Sequence, residues 1–220
     1  DDRAGPGSVQ ELADLTHHAF ELTDKYLIPV IILGDGMLGQ MMEPVEFSHE
    51  APEVPPVRQD ALRGAKGRPS RFVRTFTSNP PDLEEVNWSL FRRYQLLQKN
   101  EVMWENYMTE DARLIVTAFG IAARIAKGAI KQARANGLKI GMFRPITLWP
   151  FPGEQLKALS KKTKFFLDFE MNMGQMIEDV KLSLEGAGDV SFHGRPGGVI
   201  PTPSEVLRVI TRIYYQKGLN

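Results

Sequence analysis

The chain has 220 residues, 42% hydrophobic and 25% charged, which is enough apolar material for a sizeable core and excludes disorder for most of its length. Lys plus Arg and Asp plus Glu both total 27, so the net charge is zero; a general nucleic-acid binder or a polybasic membrane protein is excluded on charge. Cysteine is absent, which excludes disulfides, cysteine-ligated zinc or iron–sulfur centres and a thiol nucleophile. No apolar run approaches the roughly 20 residues of a membrane helix. The start, Asp1-Asp2-Arg3-Ala4-Gly5, carries no signal pattern, so the expectation is a cytoplasmic chain. It lacks an initiator Met, and a fragment or processed chain is expected.

Ser8 reads as an N-cap, with Glu11 three positions on as in a capping box. Val9, Leu12, Thr16, Ala19 and Thr23 recur at helical spacing, so a helix is expected from Val9 to about Lys25. Pro29 to Leu33 then reads as a strand buried on both faces, as in a parallel sheet. Helix then strand is half of a βαβ unit, and the strand that should precede the helix is missing from the reading. Residues 44–81 hold seven of the fifteen prolines, a density that neither helix nor central strand tolerates. This stretch is a connector. Residues 82–110 carry a helical stripe through Leu83, Val86, Leu90, Tyr94, Leu97 and Val102.

Beyond residue 112, strands and helices alternate. Leu114–Phe119, Leu138–Phe143, Lys164–Phe169 and Asp189–Phe192 read as strands. Helices are expected around Ile125–Ala133, Gln155–Ser160 and Met173–Leu184, and one opened by Pro203. The pattern predicts a doubly wound, mainly parallel α/β sheet, preceded by a truncated α/β domain. The expected divisions are 1–50, a connector and linker helix over 51–111, and 112–220.

Candidate chemistry is sparse. Gly34-Asp35-Gly36-Met37-Leu38-Gly39 formally matches the dinucleotide pattern G-x-G-x-x-G after a strand, but Pro44 leaves no room for the helix that must follow. A glycine-rich exit loop explains it as well. His17 and His18 are adjacent and do not share one helix face, and no metal-ligand spacing appears. His193 is expected in a turn. Gly7-Ser8-Val9 lacks the second glycine of a nucleophile elbow. Arg58, Arg63, Lys66, Arg68, Arg71 and Arg74, interleaved by Gly64 and Gly67, suit either a phosphate or partner grip or a solvated connector. Gly194-Arg195-Pro196-Gly197-Gly198 is an anion-binding turn or a plain one. Glu170 to Gln175 follows a parallel strand at its carboxyl end, where α/β ligands and interfaces cluster, although Asn172 is equally a helix cap.

Several strings together resemble one family. They are Gly7-Ser8-Val9-Gln10-Glu11, Asp35 to Pro44, Gly64-Ala65-Lys66-Gly67-Arg68, Arg144-Pro145-Ile146-Thr147-Leu148-Trp149-Pro150-Phe151-Pro152, Glu170 to Gln175, and Gly194 to Gly198. In that order they resemble the C-terminal part of the alpha subunit of 2-oxoacid:ferredoxin oxidoreductases. The 2-oxoisovalerate (branched-chain) type is most similar and the 2-oxoglutarate type next. The resemblance implies oxidative decarboxylation of a 2-oxoacid to acyl-CoA, with thiamine diphosphate, Mg²⁺, CoA and iron–sulfur clusters in an assembled complex. It implies a thiamine-diphosphate-binding beta subunit, an iron–sulfur ferredoxin-like subunit and ferredoxin as partners, with no nucleic acid and no membrane. It makes residues 1–50 the end of a pyrimidine-binding thiamine domain and 112–220 a transketolase C-terminal-like domain. The glutamate that activates the cofactor falls outside this sequence, so no catalytic residue and no metal ligand is assigned, and the chain alone is expected to be inactive. Arg63, Lys66 and Arg68 are expected to meet a CoA phosphate or a partner subunit. Asp35, Gln40 and Glu43 are expected at an interface near the active site. Two other readings stay open: a non-catalytic structural subunit, and a free-standing nucleotide-binding α/β protein.

Overall fold

The computed structural model describes residues 2–47, 61, 62, 64, 66–70 and 76–219. Arg58, Arg63, Arg71 and Arg74 lie outside the described residues.

The strand expected to be missing is present. β1 (Asp2–Ala4) precedes α1 (Val9–Tyr26), and β2 (Val30–Ile32) returns parallel to it with Asp2 opposite Val30 and Ala4 opposite Ile32. Three residues carry too little periodicity to announce a strand; pairing defines this one. β2 is parallel as expected but is an edge strand, not one buried on both faces: Ile31 and the following Leu33 are exposed. At the start of α1, Ser8 Oγ accepts the Glu11 N–H at 3.1 Å. The return arm of the expected capping box goes elsewhere, because Glu11 Oε2 takes the Gly7 N–H at 2.6 Å and faces Arg144.

The helix expected over 82–110 is α2 (Pro80–Asn100), and β3 (Trp104–Tyr107) follows where helix was expected to continue. β3 lies antiparallel on β5 (Ile140–Pro145) at the edge of a five-stranded sheet. Its polar residues Glu105 and Asn106 hid it from an apolar-run criterion. The rest of the sheet is parallel. β5 pairs with β4 (Leu114–Thr117), β4 with β7 (Phe165–Glu170), and β7 with β8 (Asp189–Gly194). His193 therefore sits in a strand rather than a turn, with its ring stacked on Phe169 at 5.7 Å.

Two layers of helix cover this sheet. α3 (Gly120–Ala135) and α6 (Pro203–Gln216) bury Ala126, Ala129, Ile130 and Ile210 against Val116, Met142 and Leu167. The alanine-rich face of α3 lets α6 approach closely, and Thr202 and Glu205 close a full capping box at the start of α6. α4 (Gly153–Leu159) and α5 (Met176–Leu184) bury Leu156, Val180 and Leu184 against Ile115, Phe143 and Phe166 on the other face.

β6 (Thr147–Trp149) was not foreseen between Pro145 and Pro150. It leaves the large sheet directly after β5 and joins the small one, antiparallel to β1, giving the order β2-β1-β6. One extended run thus belongs to both sheets and locks them together. Leu22, Tyr26, Ile28 and Leu97 form a small core beside this joint, with Tyr94 edge-on to Trp149 at 5.5 Å.

Candidate functional site

The carboxyl ends of strands from both sheets converge on one cleft of about 410 Å³. Leu33 follows β2, Phe119 follows β4, Glu170 ends β7, and Leu148 and Trp149 belong to β6. Asn172, Gln175 and Asp179 line the side formed by the entry to α5. This is where an open α/β sheet places ligands and interfaces, because strand-to-helix loops all open on that edge. Of the Glu170–Gln175 segment singled out by sequence, the structure brings Glu170, Asn172 and Gln175 to the cleft.

Glu170 is fully buried and holds the start of α5. Its carboxylate accepts the Met176 N–H at 2.9 Å, the Ile177 N–H at 3.1 Å and the Asn172 amide at 2.9 Å. A carboxylate is at home there, since the helix start presents unpaired N–H groups and a partial positive charge. Asn172 Oδ1 accepts the Gly174 N–H at 2.7 Å, so this residue ties the turn as well.

Asp168, two residues earlier on the same face of β7, is also fully buried. The Thr117 hydroxyl donates to its Oδ1 at 2.6 Å, and its Oδ2 takes no other donor. Burial, and then the neighbouring Glu170 carboxyl, push Asp168 up to about 9. Burial also opposes ionisation of Glu170, but the hydrogen bond from Asp168, the α5 N–H groups and the Asn172 amide outweigh it and hold Glu170 low. Two carboxyl groups packed together cannot both ionise. The pair therefore keeps one proton at neutral pH, carried by Asp168. Asp168 was missed at the sequence level. The available signal was an acid inside the apolar run Phe165-Phe166-Leu167-Asp168-Phe169.

A second set of charges joins the N-terminal segment to the large sheet. The Arg144 side chain on β5 is only 7% exposed and donates to both Glu11 oxygens at 2.8 and 2.6 Å, and to Glu105 at 2.9 Å. Lys127 on α3 reaches the other Glu105 oxygen at 2.6 Å. Asp35 and Glu43, both singled out by sequence, belong to this joint. Asp35 Oδ1 accepts the Leu38 N–H at 2.8 Å, and Oδ2 accepts the Ile121 N–H at 2.9 Å in the first turn of α3. Glu43 accepts the Val9 N–H and pairs with Arg124. Gln40 lies beside them in a 3-10 turn, Leu38–Gln40, with its side chain exposed. That turn, where a dinucleotide site needs a full helix, also removes the phosphate cradle from Gly34 to Gly39.

The remaining candidates stay apart. Lys66 is exposed and Arg68 half-buried, with Arg68 reaching the Ala61 carbonyl at 3.4 Å. The Arg195 N–H at the head of the glycine turn is spent on the Glu170 carbonyl at 3.0 Å. His17 and His18 both approach Glu21, at 3.7 and 3.0 Å. Among the described residues no cluster of three histidines or acids suits a metal ion. No helix among them is long and apolar enough to cross a membrane.

A doubly wound, mainly parallel α/β chain built around a strand-end cleft is the class these features define. Comparison with known proteins narrows it. The family model for the thiamine-diphosphate-binding domain of pyruvate flavodoxin/ferredoxin oxidoreductase matches residues 4–109, and that for pyruvate:ferredoxin oxidoreductase core domain II matches 112–206. The chain is 44% identical to the ketoisovalerate oxidoreductase subunit VorB of Methanothermobacter marburgensis over 94% of its own length and 59% of that protein. It is 30% identical to the 2-oxoglutarate synthase subunit KorA of Methanothermobacter thermautotrophicus, over 94% of its length and 62% of that protein. A 2-oxoglutarate:ferredoxin oxidoreductase from Magnetococcus marinus superimposes with a TM-score of 0.69 at 17% identity, covering 96% of this chain and 42% of that one. The chain belongs to the 2-oxoacid:ferredoxin oxidoreductase family and spans about 59% of the length of the ketoisovalerate subunits it matches.

Proposed function

We propose that this chain is the larger part of an alpha subunit of a thiamine-diphosphate-dependent 2-oxoacid:ferredoxin oxidoreductase in the cytoplasm, acting on 2-oxoisovalerate in preference to 2-oxoglutarate. The observation that carries the reading is the 44% identity to a ketoisovalerate subunit against 30% to a 2-oxoglutarate subunit over the same share of the chain. In this reading residues 1–50 are the end of the pyrimidine-binding domain, 51–111 the linker and 112–220 the transketolase C-terminal-like domain. The product is an acyl-CoA, and electrons leave through iron–sulfur clusters on a partner subunit to ferredoxin.

The described residues do not fit the charged half of thiamine diphosphate. The cleft is lined by Glu170 and Asp179 and by no lysine or arginine, and no acid cluster suits Mg²⁺. A diphosphate in contact with these carboxylates would be repelled. The beta subunit is therefore the proposed holder of diphosphate and metal, and this chain contributes architecture to the reaction rather than reacting groups. Lys66 and Arg68 are proposed contacts for a partner subunit or a CoA phosphate. Charge reversal at both is expected to weaken assembly or raise the KM for CoA; wild-type values for both would refute that role.

The test is anaerobic affinity purification from native cells, followed by viologen reduction with each oxoacid. Cluster-bearing partners and CoA-dependent reduction, faster with 2-oxoisovalerate, are expected. Faster reduction with 2-oxoglutarate would overturn the substrate. A colourless protein without partners would overturn the assignment and make titration with NAD(H) and FAD the next step.

A further inference from the structure

The helix α6 runs back along the edge strand β8. Lys217, just past the end of α6, reaches Asp189 at the start of β8, with Nζ 2.6 Å from Oδ2. The start of α6 therefore lies toward the exit of β8, where Gly194-Arg195-Pro196-Gly197-Gly198 leaves the sheet. His193 and Arg195 take alternate positions there and share a face, since the Arg195 N–H still continues the ladder to the Glu170 carbonyl. That face is the one α6 covers: the His193 ring stacks on Phe169, which packs in one core with Val206, Ile210 and Ile213 of α6. Arg208 and Arg212 are four residues apart on α6 and share one flank of it. Four basic groups thus line one seam, His193 and Arg195 half-buried at its base, Arg208 and Arg212 exposed at its rim.

The charge of this seam is not balanced. Arg124, Arg134 and Arg144 each pair with an acid. The side chains of Arg195, Arg208 and Arg212 form no salt bridge or hydrogen bond among the described residues. Glu205, which feels Arg195 and Arg208, is committed to the cap of its own helix, accepting the Thr202 N–H at 2.7 Å and the Thr202 hydroxyl at 3.1 Å. Asp189 is taken by Lys217. His193 registers the excess: burial, and then Arg195 and Arg212, push its imidazole below the usual value. Beside Arg195, the N–H groups of Gly197 and Gly198 meet no backbone acceptor among the described residues. Guanidinium forks left without a carboxylate suit an anion, and their planar geometry matches phosphate oxygens two at a time. The spacing sets the size. Arg208 and Arg212 are about 6 Å apart in helix rise, and His193 and Arg195 about 6.6 Å apart along the strand. Two linked phosphates fill that span better than one. An acidic peptide brings only one charge per residue to the same few ångströms.

We propose that the seam between β8 and α6 binds a diphosphate group, free or carried on a nucleotide, through Arg195, Arg208, Arg212 and His193. This goes beyond the enzymatic reading and does not depend on it; none of the four residues lines the strand-end cleft. The test is calorimetric titration with sodium pyrophosphate and with ADP, using the protein as purified with whatever subunits it retains. Arg208→Gln combined with Arg212→Gln is compared with wild type, so that binding elsewhere in the assembly cancels. Wild type is expected to bind pyrophosphate saturably, and more weakly as salt rises. The double variant is expected to bind about tenfold more weakly, and lysine at both positions to recover part of the loss, since charge returns without the fork. Both sites are exposed, and a thermal melt checks that each variant is folded. ADP bound as tightly as pyrophosphate supports the proposal with the group carried on a nucleotide; pyrophosphate alone supports it with the free anion. Identical isotherms for wild type and double variant overturn it. So does hexaglutamate binding at these arginines where pyrophosphate does not, which would make the seam a face for an acidic protein.

Discussion

Replacing Arg144 with methionine removes the guanidinium that joins α1 to the large sheet while keeping most of the side-chain volume. Three strong hydrogen bonds disappear, two to Glu11 and one to Glu105. Removing one partner of a fully buried ion pair costs about 3–5 kcal/mol, because the other charge is left stranded. Here Arg144 is 7% exposed but Glu11 is 24% exposed, so water screens part of the loss. The expected destabilisation is about 2–4 kcal/mol. For a chain of this size each kcal/mol moves Tm by about 2–4 °C, giving a fall of roughly 5–15 °C. Urea unfolding and a thermal scan read it directly. The pH dependence is a second check. Burial alone would raise the Glu11 carboxyl, but the Arg144 guanidinium and the Gly7 N–H outweigh it and hold Glu11 low. A lowered carboxyl stabilises above its unfolded pKa of about 4.3, and that contribution vanishes as pH falls through the folded value. The gap between wild type and Arg144→Met should therefore be full at pH 7 and close below about pH 4. A double cycle with Glu11→Gln should show coupling above about 1 kcal/mol. A loss under about 0.5 kcal/mol, or a gap unchanged at pH 3, would refute the view that this pair holds the joint.

Asp168 keeps its proton in the fold, up to about 9, whereas the unfolded chain releases it near 3.9, so this group makes stability fall as pH rises between those values. Asp168→Asn is expected to flatten that slope in urea melts from pH 5 to 9 and to gain on wild type as pH rises; an unchanged slope counts against the shared proton. Asp35→Ala removes the acceptor for Leu38 and Ile121 and should cost about 1–2 kcal/mol, with Asp35→Asn costing less, as measured by thermal unfolding. A Cβ on Gly194 would collide with the Asn172 carbonyl oxygen, so Gly194→Ala is expected to destabilise by about 1–3 kcal/mol. Gly36→Ala meets nothing within 4 Å and should change Tm by less than 2 °C; a large loss would refute the open surroundings of this glycine.

The regular parts of this fold were legible because each element announces itself within its own span. α1 carries its cap, although the residues it buries are Leu15, Leu22 and Tyr26 and not the expected stripe of Val9, Leu12, Thr16, Ala19 and Thr23, and β4, β5 and β7 are apolar runs whose interior positions are buried by helices on both faces. The helix that Asn136-Gly137 stops is α3, and the capping pair Thr202 and Glu205 opens α6. The strings that carried the family resemblance were legible for the same reason: they are contiguous. What escaped has no local signature. β1, β3 and β6 are short or polar and exist only through their partners, and β6 changes sheets between two prolines. Ser8 and Glu11 read as a reciprocal cap, yet Arg144, 133 residues away, draws the Glu11 carboxylate to itself. Asp35 and Glu43 could be singled out, but that both hold the α3 end of the joint depends on how two distant segments meet. The shared proton of Asp168 and Glu170 is decided entirely by tertiary structure. Sequence supplies two acids at alternate positions on a strand; only the burial of that face, and the start of α5 laid across Glu170, determines which of them stays neutral.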